Sequence, residues 1–216
     1  MANWLNTIFY SLDKQAFIAM NSLEKVAGGF FKPFAKFVSI FGEGGIFLIL
    51  VAIVLMLFKN TRKAGASVLL AIGVGALLTN VIIKNAVARP RPFNADQLYF
   101  EFWTKAGANK VGEYSFPSGH TTVAMTSMTA IFLSFNKKKS WTAFFFVLIT
   151  AFARVFLIVH YLTDIIGGII IGGISGVIGY YLAKLIFNAF EKNKDKKACQ
   201  FILESDIKNL IKKGRK

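Results

Sequence analysis

The chain has 216 residues, 55% of them hydrophobic and only 17% charged, with a mean hydropathy of +0.53. Average globular domains are roughly 45–50% apolar and about 25% charged, so the composition argues against a freely soluble domain. Lys and Arg number 26 against 11 Asp and Glu, a net charge of +15, which in so apolar a chain points to basic membrane loops and away from nucleic acid as partner.

A single cysteine, Cys199, excludes an internal disulfide framework and any Cys-based metal cluster, and two histidines leave little for a multi-His site. The length allows one domain.

Residues 1–42 are apolar but interrupted by Asp13, Lys14, Glu24, Lys25, Lys32 and Lys36. Phe30, Phe31, Phe34, Phe37 and Val38 recur at helical spacing beside Lys32 and Lys36, which predicts amphipathic helices lying in the outer interface. A sixth, polar span is the alternative. No signal-peptide layout is expected here.

Residues 43–187 form the membrane core. A crossing helix needs about 17–25 mostly apolar residues because no water satisfies its backbone. Five segments meet this: Gly44–Phe58, Ala64–Val87, His120–Phe135, Trp141–Val159 and Ile165–Phe187. The expected fold is therefore an all-α, polytopic helix bundle. Gly168, Gly172 and Gly176, at four-residue spacing in the last span, predict close helix contact within the bundle rather than dimerisation.

If the spans alternate, 16 basic residues fall on one side, around Lys59–Lys63, Lys137–Lys139 and the tail, and six on the other. The excess of basic residues marks the cytoplasm. The long Ala88–Pro117 connection and both histidines then face outward. That connection carries Phe93, Tyr99, Phe100, Phe102, Trp103, Tyr114 and Phe116, which suits a segment at headgroup level; Lys105 and Lys110 add attraction for headgroups. Residues 188–216 form a basic cytoplasmic tail, with Leu203, Ile207, Leu210 and Ile211 at helical spacing. An amphipathic helix on the inner leaflet and a solvated tail are both compatible with it.

Ionisable groups are expensive near a bilayer and mark function by default. Three clusters stand at the outer span ends: Lys84–Pro92, Pro117–His120 and Arg154–Asp164. His160 and Asp164 are four apart, so a carboxylate can fix one imidazole nitrogen and free the other as nucleophile or base. Pro117-Ser118-Gly119-His120 opening a helix is a ready anion site. Lys84, Arg91 and Arg154 suit phosphate clamps, although Arg154 and His160, six apart, need a helix break to converge. Singly, each has a plainer account: snorkelling anchors for the cations, a cap for Ser118, core packing for a histidine, a cap for Asp164. Jointly, both histidines, three cations and a carboxylate fall on one membrane face, which coincidence explains poorly.

These residues resemble the signature of the type 2 phosphatidic acid phosphatase family, membrane lipid phosphatases related to vanadium haloperoxidases. The signature is a Lys, six residues, then Arg-Pro; Pro-Ser-Gly-His; and Ser-Arg, five residues, His, three residues, Asp. The chain matches with Lys84 and Arg91-Pro92, with Pro117–His120, and with Arg154, His160 and Asp164. Ala153 stands where the family usually has Ser, which removes a hydroxyl from the expected phosphate pocket. The resemblance implies that His160 attacks phosphorus, oriented by Asp164, and that His120 serves as acid and then base. It implies phosphate contacts from Lys84, Arg91, Ser118, Gly119 and Arg154, with no metal and no cofactor. The substrates it implies are undecaprenyl pyrophosphate, phosphatidylglycerol phosphate, phosphatidic acid or lipid A phosphate, in a bacterial multi-pass membrane protein whose site faces outward. Outward orientation favours the undecaprenyl carrier, with a phosphatidylglycerol phosphate or phosphatidic acid phosphatase as the alternative. A non-catalytic lipid-phosphate binder or a transporter remains the reading from another class. Oligomeric state is not legible.

Overall fold

A computed structural model describes residues 3–112 and 114–208. Among these residues every regular element is a helix, apart from one isolated bridge between Pro90 and Tyr114. The first elements are α1 (Asn3–Ile8), the long α2 (Tyr10–Gly42), α3 (Ile46–Leu57) and α4 (Arg62–Ala76). After α4 the chain widens into π-helical turns over Leu77–Ile83 and closes with α5 (Lys84–Val87). The outer connection holds α6 (Pro92–Ala95) and α7 (Gln97–Ala106). It is followed by α8 (Gly119–Ser134), α9 (Lys137–Ser140), α10 (Phe144–Phe156), α11 (Leu162–Lys192) and α12 (Lys197–Glu204).

Four stretches are long and apolar enough to cross a membrane: Tyr10–Leu57, Arg62–Val87, Lys137–Phe156 and Leu162–Lys192. The expected third span is the shorter α8, of 16 residues. It runs through the centre, packed against α4, α10 and α11, and buries Thr121, Thr122, Thr126, Ser127 and Thr129. The hydroxyls of Thr122 and Thr126 bond to the carbonyls of Ser118 and Gly172, at 2.9 and 3.1 Å, whereas the buried hydroxyls of Ser127 and Thr129 have no hydrogen-bond partner.

The last long helix carries its large side chains on the outside. Helix α11 exposes Ile166, Ile170, Ile174 and Ile178 while burying Gly168, Gly172, Gly176 and Gly179. A Cβ on Gly172 would sit 2.7 Å from the Thr122 carbonyl oxygen, so only glycine lets α8 approach this closely. The four-residue glycine stripe thus serves packing within the bundle.

Helix α2, kinked at Ala27, touches the same end of the bundle near both of its own ends. Asp13 reaches Arg89 and Thr163, Phe31 packs on Phe152 and Phe156, and Ser39 reaches Arg154. The chain then turns into α3 through Gly44 and Gly45, both at positive φ.

The aromatic connection is ordered as helices. Asp96 caps α7 by accepting from the Leu98 amide at 2.8 Å, and Gly107 ends it at φ 65°. Phe93, Tyr99 and Phe102 are buried against α2 and the α10–α11 turn, while Phe100 stays exposed. At the opposite end, α12 returns to the α3–α4 turn. There Arg62 donates to the Met56, Ile202 and Ser205 carbonyls, at 2.9, 2.5 and 2.6 Å. Leu210 and Ile211, expected on the tail's apolar face, lie outside the described residues.

Candidate active site

The three sequence clusters converge on one cavity of about 240 Å³, walled by Lys84, Arg91, Gly119, His120, Arg154 and His160 among others. Each arrives by a local device. The π-helical turns change the phase of the helix before Lys84, a distortion often found at functional sites. Gly119 and His120 open α8, whose first amides have no helical acceptor partner of their own. Arg154 lies in the last turn of α10, and the helix breaks after Phe156, with Ile158 at φ 55°. That break brings Arg154 and His160 onto one wall although their spacing is wrong for a continuous helix.

His160 is 1% exposed and held from both sides. Its Nδ1 lies 3.4 Å from Asp164 Oδ2, and its Nε2 lies 3.1 Å from Arg91 Nη1. With the proton on Nδ1 facing the carboxylate, the Nε2 lone pair points at Arg91 and the cavity. Burial, and next the neighbouring Arg91 charge, push the His160 imidazole well below its ordinary pKa, so it is neutral at physiological pH. Asp164 also caps α11, accepting from the Tyr161 amide at 3.0 Å. The capping and the histidine-orienting readings of this residue therefore both hold geometrically.

Arg91 is anchored on the Val159 and Gly112 carbonyls at 2.8 and 2.5 Å, and burial lowers its pKa to about 10, which leaves it charged at neutral pH. Arg154 is 4% exposed, and its Nε has no hydrogen-bond partner. A buried guanidinium N–H left free beside a cavity is a donor waiting for an acceptor. The cavity thus gathers three cations and two imidazoles at a helix start, an arrangement suited to a phosphoryl group. Among the described residues no group of three or more His, Cys, Asp or Glu could hold a metal ion.

Ser118 is not on the cavity wall. Its hydroxyl is buried at the N-cap of α8, 3.1 Å from the Thr121 hydroxyl, which matches the capping account. The missing hydroxyl at Ala153 also leaves no gap in the cavity. Ala153 packs in the apolar cluster of Ala35, Phe156 and Leu157, and Ser39 Oγ, one turn beyond Ala35, accepts from Arg154 Nη1 at 3.0 Å.

Four residues that the sequence reading left without a role support the site. Arg89, 0% exposed, donates to Asp164 Oδ1 at 2.7 Å, Asp13 Oδ2 at 2.8 Å, Thr163 at 2.7 Å and Asn6 at 2.7 Å, with its guanidinium 3.7 Å from the Tyr161 ring centroid. Asp13 further accepts from the Thr163 amide at 3.0 Å. Ser39 holds Arg154 by accepting from its Nη1. Gly42 makes room for the His120 ring: a Cβ there would lie 2.5 Å from His120 Cδ2. Asp13 and Ser39 are two of many polar residues in α2, so the sequence carried no signal that set them apart.

Comparison with known proteins places the chain among membrane phosphatases. The chain is 30% identical over 138 residues to the undecaprenyl-diphosphatase BcrC of Bacillus subtilis, covering 63% of this chain and 68% of that protein. It is 31% identical over 109 residues to a lipid A 4'-phosphatase of Bacteroides thetaiotaomicron, 49% of this chain but only about half, 48%, of that protein. The fold matches the crystal structure of the first transmembrane PAP2 type phosphatidylglycerolphosphate phosphatase from Bacillus subtilis with a TM-score of 0.63 at 22% identity, over 82% of this chain and 87% of that one. The model of the PAP2 superfamily matches residues 64–188, a stretch that contains all three motifs lining the cavity. Matched over more than half its length and through every one of those motifs, the chain belongs to the PAP2 superfamily.

Proposed function

We propose that this membrane phosphatase removes the terminal phosphate of undecaprenyl pyrophosphate, giving undecaprenyl phosphate and inorganic phosphate, at the outer face of the membrane. The observation that carries the reading is the buried, neutral His160 set between Asp164 and Arg91 on the wall of a cationic cavity. The name of the Bacillus subtilis relative supports the substrate, and the excess of basic residues on the opposite side supports the orientation.

In this reading His160 Nε2 attacks the terminal phosphorus as Arg91 turns its Nη1 from the imidazole to a phosphate oxygen. A P–N bond forms, the P–O bond to the lipid phosphate breaks, and His120 gives its proton to the leaving oxygen. Asp164 stabilises the positive charge that His160 then carries. His120 next takes a proton from water, which attacks phosphorus, breaks the P–N bond and releases phosphate. Lys84, Arg91, Arg154 and the Gly119 amide neutralise the non-bridging oxygens throughout. No metal ion enters these steps, so EDTA is expected to leave turnover unchanged.

Phosphate release from purified protein in detergent tests this, with undecaprenyl pyrophosphate beside phosphatidylglycerol phosphate and phosphatidic acid. Preference for the carrier is the expected result. Preference for either phospholipid would move the same site to phospholipid synthesis, and binding without turnover of any lipid would make the cavity a receptor.

A further inference from the structure

An outer groove of about 450 Å³ adjoins the catalytic cavity and shares His120, Arg154 and Val111 with it. Lys36 of α2 and Lys110 of the outer connection both line it, and both are exposed. Lys36 Nζ lies against Gly107, 3.3 Å from where a Cβ would stand, so the two elements meet at the groove. Glu43 is the only carboxylate among its described lining residues, and it acts on Arg154.

The chemistry fixes what this groove must hold. In phosphoryl transfer the attacking and leaving atoms lie roughly in line with phosphorus. The inner cavity, of about 240 Å³, accommodates one phosphoryl group beside His160. The leaving oxygen must meet His120, the proton donor, and His120 belongs to both spaces. The rest of the leaving group therefore passes into the outer groove. Lysines there are wasted on a neutral alcohol but complement a leaving group that is itself a phosphate.

We infer that Lys36 and Lys110 form a second phosphate subsite, which holds the lipid-linked phosphate of a diphosphate substrate and makes the enzyme prefer lipid diphosphates over monophosphates of the same lipid. The inference rests on the lipid phosphatase reading above. Both lysines lie outside the catalytic cavity, so neutralising them leaves His160, His120 and the inner cations in place.

The test compares the purified full-length wild type with a Lys36→Gln/Lys110→Gln variant in detergent. The substrates are a polyprenyl diphosphate and the monophosphate of the same chain length. The expected result is a kcat/KM for the diphosphate lowered by about tenfold or more, with that for the monophosphate lowered by less than about threefold. Equal losses on both substrates, or none on either, would overturn the subsite. Should the wild type release phosphate from neither lipid, the phosphatase reading fails separately. Binding of a polyprenyl methylenediphosphonate against the monophosphonate then decides the groove: weakening of the first alone supports it, and unchanged preference overturns it.

Discussion

Arg89 is the buried charge that holds Asp164 in place. It occupies Asp164 Oδ1 and so leaves Oδ2 for His160 and the Tyr161 amide. Removing one partner of a buried ionic group leaves the others uncompensated, at a cost of about 3–5 kcal/mol. Arg89→Met is therefore expected to lower kcat by about a hundredfold with little change in KM, because Asp164 and Asp13 then face each other without a cation. Steady-state kinetics on detergent-purified variant checks this; a KM effect alone would show that Arg89 acts on binding instead. The sign of the pH response follows from His160. Its pKa is lowered in the folded protein, so below about 6.5, the ordinary imidazole value, the unfolded chain binds the extra proton and stability falls as pH drops. The loss in melting temperature between pH 7.5 and 5.5 should be smaller in His160→Gln than in the wild type. These site residues were unequally legible. The residues of the three motifs announce themselves by type and order, but Asp13 lies 76 residues from Arg89 and 150 from Thr163, and nothing in the local sequence pairs them. Ala153 removes a hydroxyl that the family usually has, and in the fold it packs in the apolar cluster with Ala35 and Phe156.

Among the elements, α2 supports the site from outside the stretch matched by the family. Gly42 yields to the His120 ring, so Gly42→Ala is expected to displace the imidazole and cut kcat by about tenfold while the bundle stays folded. Wild-type turnover in that variant would show that the ring has room to move. The α8–α11 contact should be less forgiving. Gly172→Val places branched carbons against the Thr122 carbonyl and Met125, and overpacking of this kind costs about 1–3 kcal/mol, readable as a lower melting temperature in detergent. The four-residue glycine spacing made that contact legible in advance. The helix ends were less so: α11 begins three residues before the expected Ile165 and runs five past Phe187. Its extra turns are amphiphilic, and hydropathy alone does not extend through Asp164 or Lys192. The aromatic connection read as an interfacial segment because its apolar residues lack a partner in sequence. In the fold α2 and the α10–α11 turn provide one.

For the whole molecule, the charge asymmetry and the inside-out packing address different questions. Exposed isoleucines and leucines over α3, α10 and α11 describe a surface made for lipid, whereas the basic residues at one end speak to orientation. With both ends of α2 on the site end of the bundle, residues 1–42 are proposed to lie along the outer interface rather than to cross it. Cys199, the single cysteine of the sequence, lies in the first turn of α12, at the opposite end of the bundle. It offers a direct readout: a membrane-impermeant maleimide should label it in cells only after permeabilisation, and labelling of intact cells would invert the topology.

Phosphate release from undecaprenyl pyrophosphate by wild type and His160→Ala, purified side by side in detergent with EDTA, bears most directly on the mechanism. Rapid release by the wild type and a loss of at least about a thousandfold in the variant is the predicted result. Turnover retained in His160→Ala would contradict the phosphohistidine route.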